Sequence, residues 1–144
     1  MVAVLVAAAL AASHAPAACS GSAAQAVIRT FVADINAGRP DAAARLWAPE
    51  PYFQWYSAAG AGRRVGSKAY NRATLAAYFV ARARAHERLT IVRLGAGYDP
   101  RRDIVNFAGM LVRRGDDITA AAPHPFKGAA ACRPGGPLLI VWSM

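Results

Sequence analysis

Between Asn71 and Glu87 the hydrophobic positions recur with the period of an α-helix. Five residues at spacings of three and four share one face of that helix. They are Leu75, Tyr78, Phe79, Arg82 and His86. A guanidinium and an imidazole on a buried stripe need either polar partners or a polar cavity. The pattern therefore predicts a pocket beside Arg82 and His86.

The same reasoning divides the rest of the chain. Helical periodicity predicts two earlier helices over 22–36 and 41–47, the first with Ser22 and Gln25 as a capping box. After Arg88 the period changes to two, which predicts strands. The predicted strands are 52–57, 89–95, 104–114, 126–132 and 138–143. The predicted loops and turns are 58–67, 97–100 and 115–117. The segment 118–125, which contains Pro123 and Pro125, is predicted as an edge strand or a loop. Helices set ahead of an antiparallel sheet predict one α+β domain.

Composition supports a folded domain and leaves the partner open. Hydrophobic residues make up 56% of the chain and charged residues 17%, which excludes a disordered chain. The formal charge is +9, and this excess fits either arginine-rich codon usage or an anionic partner such as lipid head groups or a cell-wall polymer. The cations are spread along the chain without a dense block, so nucleic acid is not favoured as a partner.

The N-terminus is typical of an export signal. The run from Val2 to Ala12 is apolar but shorter than the about 20 residues that a membrane-spanning helix needs. Ala15 and Ala17 match the small-residue pattern of a signal-peptidase site, although no Lys or Arg precedes the run. We therefore predict a signal peptide over 1–18, a domain over 19–144, and a location outside the cytoplasm, either secreted or anchored to the outer face of the membrane.

Cys19 has two alternative uses that exclude each other. As the first residue after the predicted cleavage site it resembles the lipid-bearing cysteine of bacterial lipoproteins, which would tether the domain to a membrane. It is also able to form a disulfide with Cys132, which an exported protein permits. The residues alone leave both uses open.

Four stretches of the chain resemble the nuclear transport factor 2-like superfamily, in particular its SnoaL-like group. These stretches are FVADINAGRPDAAARLWAPE, FQWYS, RATLAAYFVARARAHERL and KGAAACRPGGPLLIVWSM. The resemblance implies a cone in which a curved antiparallel sheet wraps three helices and leaves a cavity at one end. Members include isomerases, dehydratases, cyclases, epoxide hydrolases and non-catalytic binding or dimerisation modules, so the fold does not imply one function.

The carboxylates of the catalytic members do not carry over to this chain. Members resembling ketosteroid isomerase use an Asp base with a Tyr and a protonated Asp as oxyanion donors. Here Val27 and Phe31 stand where a Tyr donor is wanted, and Asp34 is predicted to face solvent. The acid–base carboxylates of the family are therefore not expected in this chain.

His86 and Arg82 remain the candidates for chemistry. His86 is the one plausible general base, or else a histidine at the edge of the core bonded near the end of the helix. Arg82 is a candidate for holding a carboxylate or phosphate, or else pairs with an acidic residue such as Glu50 or Asp103.

Five further residues are candidates for contacting a ligand. Each has an alternative role in packing, in a bulge or in solvent. They are Trp55, Tyr56, Tyr78, Asn106 and Lys127. The two Cys and the His residues are not at metal-ligand spacing, and there is no phosphate-binding glycine loop, so no metal or cofactor is predicted.

Three hypotheses for function follow. The first is an exported, lipid-anchored or soluble, domain that binds a small apolar or anionic molecule in the cone. The second is an isomerase, dehydratase or hydrolase with His86 as base. The third is an interaction module that forms homodimers through the open face of the sheet, with Trp142 and Met144 supplying apolar area.

Overall fold

The computed structural model describes residues 19–49, 55–59, 65–69, 71–118 and 121–144. The predicted signal peptide over 1–18 lies outside these ranges. The described residues form three helices and six strands. In chain order these are α1 (Gly21–Asn36), α2 (Pro40–Arg45), β1 (Trp55–Ala59), β2 (Val65–Ala69), α3 (Arg72–Arg84), β3 (Arg88–Asp99), β4 (Ile104–Arg114), β5 (Pro123–Ala131) and β6 (Leu138–Ser143).

The strands form one sheet in the order β2-β1-β6-β5-β4-β3. The α+β class is confirmed, and four of the five strand pairs are antiparallel. The pair of β1 and β6 is parallel, which the sequence did not predict. A parallel pair needs a long connection rather than a hairpin turn, and here the intervening strands and α3 supply it. The helices pack against one side of the sheet, chiefly through α1.

Local capping explains where the helices begin. Asn71 caps α3 as predicted, because its side chain accepts a hydrogen bond from the Thr74 N–H and Thr74 bonds back to it. In α1 the cap is Ser20 rather than Ser22, since Ser20 Oγ accepts from the N–H of Ala23. The second helix starts at Pro40. Proline is favoured at the first helical position, because the backbone N–H that it lacks would have no partner within the helix there.

The sheet has two faces, and strand alternation assigns residues to them. In β4, the buried residues Val105, Phe107, Leu111 and Arg113 alternate with residues that face outwards. Gly109 lies on the buried side with them, opposite Leu94 and Phe126. We call the side that packs on the helices the concave face and the opposite side the outer face. The concave face carries Leu89, Ile91, Leu94, Ala96, Val105, Phe107, Leu111, Arg113, His124, Phe126, Gly128, Ala130, Leu139 and Trp142.

Aromatic rings fill the centre of the concave side. Phe31 of α1 lies against Trp142 of β6, with 5.1 Å between ring centroids, and against Phe79 of α3 at 5.4 Å. The rings of Phe126 and Trp142 stack at 4.9 Å. These rings are almost completely buried, so this part of the cone is a packed core.

Three strand boundaries differ from prediction. The segment predicted as loop over 58–67 contains the end of β1 and most of β2. Strand β3 continues through the predicted turn to Asp99. Strand β5 begins at Pro123. Proline is tolerated there because β6 pairs only with Lys127–Ala131, so no strand on that side needs the backbone N–H that proline lacks.

A disulfide joins Cys19 to Cys132, with 5.5 Å between their Cα atoms. It fastens the segment before α1 to the residue after β5, beside the buried Ala24 and Val105. Of the two predicted uses of Cys19, the structure contains the disulfide. In this form the Cys19 sulfur has no bond left for a lipid.

No helix among the described residues has the length and apolar character needed to cross a membrane.

Candidate functional site

A cluster of charged side chains lies where α3 meets the ends of β3 and β4. Its members come from four places in the chain: α3 supplies Tyr78 and Arg82, the residue before β3 is Glu87, β4 supplies Arg113, and the following turn supplies Asp117. This is where the structure puts the polar part of the predicted inner face.

The C-terminus of α3 brings these residues together. The helix ends at Arg84, and the next residues form a Schellman motif: the N–H of His86 bonds to Ala83 and that of Glu87 to Arg82. His86 has a φ of 49°, the left-handed conformation that glycine usually supplies here. The chain therefore turns at His86 and sends Glu87 back under Arg82.

Glu87 is the centre of the cluster. Its carboxylate accepts a hydrogen bond from Arg82 Nε at 2.5 Å and another from Arg113 Nε. Its side chain is only 1% exposed, and both arginines are buried with it. A buried carboxylate is stable here because two guanidiniums compensate its charge.

Asp117 completes the coordination of Arg82. Its two oxygens accept from Nη1 and Nη2 of Arg82, each at 2.6 Å, in the parallel geometry that suits a guanidinium. These hydrogen bonds lower the pKa of the Asp117 carboxyl to about 2 and raise that of Arg82. The turn lies close to the helix because Gly115 has no side chain and the N–H of Asp116 bonds to the carbonyl of Ala85.

The cluster does not provide a binding site for an anion. Its two arginines are matched by Glu87 and Asp117, so the four charges sum to zero. Arg82 directs Nε, Nη1 and Nη2 at these carboxylates. The hypothesis that Arg82 holds an external anion is therefore not supported; it joins a helix, a strand and a turn. Of the two partners that the sequence suggested, Asp103 instead accepts a hydrogen bond from the Tyr98 hydroxyl, and Glu50 lies outside the described residues.

His86 lies outside the cone. The prediction that it shares the inner helix face is wrong, because α3 ends before it and its side chain is 72% exposed. Its Nδ1 lies 2.8 Å from Asp116 Oδ2 on the surface. Proton transfer inside the cone is not available to this imidazole.

The remaining predicted residues are spread over different parts of the fold. Tyr78 is half-buried, and its hydroxyl accepts from Arg113 Nη2 at 3.3 Å. Asn106 and Lys127 are exposed on the outer face, so the structure does not place them in a pocket. Trp55 and Tyr56 lie on β1, and their side chains are outside the described residues. The structure thus joins Arg82 and Tyr78 through Arg113 and separates the others.

Sequence reasoning missed one histidine on the concave face. His124 was predicted to lie in a loop between two prolines, but it belongs to β5 and pairs with Leu111 of β4. Leu111 in turn pairs with Ile91 of β3, so Ile91, Leu111 and His124 form one row across the concave face. His124 and Ile91 are half-buried. Extending the alternation of β5 back from Phe126 would have placed His124 on this face.

Among the described residues, no group of three or more His, Cys, Asp or Glu side chains is arranged to hold a metal ion.

Comparison with known protein structures identifies the fold. Neither a protein-family model nor a curated protein matches the sequence. A proposed aromatic ring hydroxylase from Novosphingobium aromaticivorans is similar in structure, with a TM-score of 0.69, 12% identity and coverage of 85% of each chain. A proposed dehydratase of the nuclear transport factor 2-like family from Streptomyces avermitilis has a TM-score of 0.62 at 8% identity, covering 85% of this chain and 91% of that one. The chain has the nuclear transport factor 2-like fold.

A third similar structure widens the range of activities on this fold. It is a proposed calcium/calmodulin-dependent protein kinase II association domain from Xanthomonas campestris, with a TM-score of 0.63, 17% identity and coverage of 83% of this chain and 82% of that one. The predicted resemblance is confirmed at the level of the fold. Because identities of this size establish the fold alone, function has to be argued from the residues.

Proposed function

We propose that this chain is an extracytoplasmic domain that binds a small, largely apolar molecule on the concave side of its sheet without catalysing a reaction. The observation that carries the proposal is the row of Ile91, Leu111 and His124. Two of these side chains, Ile91 and His124, are half-buried, and Ile91 packs against the edge of the core. A half-buried imidazole among aliphatic side chains is typical of a binding site that is apolar with few polar groups.

The polar groups near this row are suited to orienting a ligand through hydrogen bonds rather than to attracting a charged ligand. Arg113 is the next concave residue of β4 after Leu111 and is a diagonal neighbour of His124. Its charge is compensated by Glu87, and it fixes the hydroxyl of Tyr78 at 3.3 Å. The imidazole of His124 and the fixed phenol of Tyr78 are both able to form hydrogen bonds with a ligand.

Catalysis by the predicted residues has little support. His86 is on the surface, and Arg82 is engaged by two carboxylates. Two carboxylates are buried among the described residues. Glu87 is paired with two arginines, and Asp34, which was predicted to face solvent, is paired with Arg39. A general base has to reach its substrate, and Glu87 does not meet that condition.

Two observations support the extracytoplasmic part of the proposal. The apolar run from Val2 to Ala12 has the length of a secretory hydrophobic segment. The Cys19–Cys132 disulfide is a bond that persists mainly in oxidising compartments. Fractionation of the producing cells tests this part directly: we expect the protein outside the cytoplasm, and a protein that stays in the cytoplasm with both thiols reduced would contradict it.

A fluorescent amphiphile tests the binding site. Titration with anilinonaphthalene sulfonate should show saturable binding that His124→Ala weakens roughly tenfold, the effect of about 1.4 kcal/mol of lost contact. His86→Ala is the matched control, because it removes the same group from the exposed surface. Equal binding by the wild type and both variants, or no saturable binding at all, would refute the concave site.

An enzyme is the second candidate, because proposed dehydratases and a proposed hydroxylase share this fold. For this candidate we propose His124 as the base in place of His86, because His124 is the described histidine on the concave side. A histidine base acts in its unprotonated form, so the rate should fall as the solution is acidified. If a substrate is found, turnover should be lost in His124→Ala and kept in His86→Ala; the opposite result would remove this assignment.

A further inference from the structure

The outer face of the sheet carries four exposed cations. They are Arg88 and Arg93 on β3, Arg114 on β4 and Lys127 on β5. In the described part of the chain, none of the four forms a salt bridge. Arg88 and Arg114 are directly opposite each other across β3 and β4, an arrangement of like charges that destabilises a sheet by itself.

Carboxylates are nearly absent from this face. Within the described strands, the one acidic residue in an outward-facing register is Asp99, at the far end of β3, where Arg102 lies 4.0 Å away. At the opposite end, Glu87, Asp116 and Asp117 are engaged by Arg82, Arg113 and His86. The positive charge of the face is therefore not neutralised within the described domain.

Uncharged side chains separate the cations. Thr90 and Val112 lie between the Arg88–Arg114 pair and the row of Arg93 and Met110, and Gly95 and Ala108 lie in the row of Lys127. Each of these uncharged side chains is shorter than an arginine or lysine side chain. Among the described residues the one large hydrophobic side chain that is exposed is Val92, at 59%, in the β3 bulge next to Arg93.

These features argue against a second copy of the chain as the occupant. A two-fold dimer brings the same patch of both copies together. On this face it would set four cations against four cations without carboxylates to pair them. Trp142 and Met144, predicted to supply apolar area, are buried and do not reach the outer face.

They also argue against a protein partner held by a buried anchor. The residues that dominate protein interfaces are aromatic or arginine side chains that enter pockets at the centre of the contact. Here the described outer-face side chains of β3 to β5 include no aromatic residue, and Thr90 and Val112 lie between the Arg88–Arg114 pair and Arg93. Adsorption to an anionic lipid surface needs no such anchor, since each Lys or Arg near the head groups contributes separately.

We infer that the outer face binds the head groups of an anionic phospholipid bilayer through Arg88, Arg93, Arg114 and Lys127. Arginine forks match phosphate oxygens, and all four side chains extend from the same face of the sheet. Val92 is placed to enter the interface beside Arg93. The binding is peripheral, sensitive to salt, and independent of any molecule bound on the concave side.

Co-sedimentation with vesicles tests this inference on the full chain. Vesicles of phosphatidylcholine with phosphatidylglycerol should bind the protein, and vesicles of phosphatidylcholine alone should not. The double variant Arg93→Gln/Lys127→Gln should lose about 30-fold in partition coefficient, from about 1 kcal/mol for each cation. Both positions are exposed and form no salt bridge with any described residue, so the thermal midpoint should not change.

The matched control is Arg29→Gln/Arg45→Gln, on the exposed surface of α1 and α2. Each double variant removes two cations from +9 and leaves +7, so only position differs. The control should keep most of the binding. A second pair on the face, Arg88→Gln/Arg114→Gln, should lose binding without loss of stability, because it removes a like-charge cross-strand pair.

Three results would overturn the inference. Equal losses in the face and control variants would show that net charge alone drives adsorption. Equal binding to both kinds of vesicle would assign it to apolar insertion. A dimer in sedimentation velocity that Arg93→Gln/Lys127→Gln dissociates would show that a second copy occupies the face.

Discussion

Arg82 holds both carboxylate oxygens of Asp117 at 2.6 Å, across 35 residues of sequence. This bidentate pair fastens the turn after β4 to the end of α3. Arg82 also donates to Glu87, so carboxylates from two different parts of the chain bind it from two sides. The guanidinium that first suggested a ligand site is therefore a structural connection, and its effects should appear as stability.

Asp117 should make the fold sensitive to acid. Its pKa is lowered from 3.8 to about 2 by the hydrogen bonds from Arg82. Because the folded value is below the unfolded one, the contribution to stability is full above the unfolded pKa and is lost as the pH falls through the folded one. Urea unfolding followed from neutral pH down to about pH 2 should show this loss in the wild type and a smaller one in Asp117→Asn.

Asp116→Asn is the control, since the Asp116 carboxylate pairs with the exposed His86 across the same turn. It should retain the acid-dependent loss of the wild type. If Asp117→Asn and the wild type lose stability in parallel over this range, the Arg82–Asp117 pair does not exist in solution.

Glu87→Gln should destabilise the fold by about 3–5 kcal/mol, because it leaves two buried arginines without their shared negative charge. Chemical denaturation at neutral pH measures the change. Asp41→Asn, at an exposed position in the first turn of α2, should cost less than about 1 kcal/mol. A similar small cost for Glu87→Gln would mean that Arg82 and Arg113 are not held by this carboxylate.

The fold could be predicted further from the sequence than the site could. Helical periodicity located α1 and α3, and the change to a period of two located β4, because both patterns follow from burial of one face. Periodicity also predicted that Arg82 points inwards, and it is buried. It did not predict the partners, because Glu87 and Asp117 come from a helix end and a turn, where no periodicity applies.

Two errors about the site have local physical causes. The helix was extended through His86 because a non-glycine residue in the left-handed conformation gives no signal in the sequence. His124 was assigned to a loop because prolines flank it, but they are tolerated where β5 pairs only with β4. In both cases a tertiary contact overrode a preference that is usually reliable.

His86→Gly should raise the free energy of unfolding by about 0.5–1 kcal/mol. Glycine adopts the φ of 49° without strain, and the lost contact with Asp116 joins two exposed side chains and contributes little. Thermal unfolding measures the gain. Ala85→Gly, one residue earlier at a φ of −83°, should give no gain, because alanine is unstrained there. Destabilisation by His86→Gly would show that its imidazole contributes more to the fold than its exposure implies.

The Cys19–Cys132 disulfide should contribute about 4–5 kcal/mol, because it closes a loop of over 100 residues in the unfolded chain. Cys132→Ser, or reduction of the wild type, should lower the denaturation midpoint by a corresponding amount, while reduction of Cys19→Ser/Cys132→Ser should change nothing further. Intact mass of the protein from its own cells provides the independent check: a loss of two hydrogens is expected. A diacylglyceryl addition on Cys19 with a free Cys132 thiol would instead show that the natural form is a lipoprotein. The stability attributed to the disulfide would then come from the membrane tether or be absent.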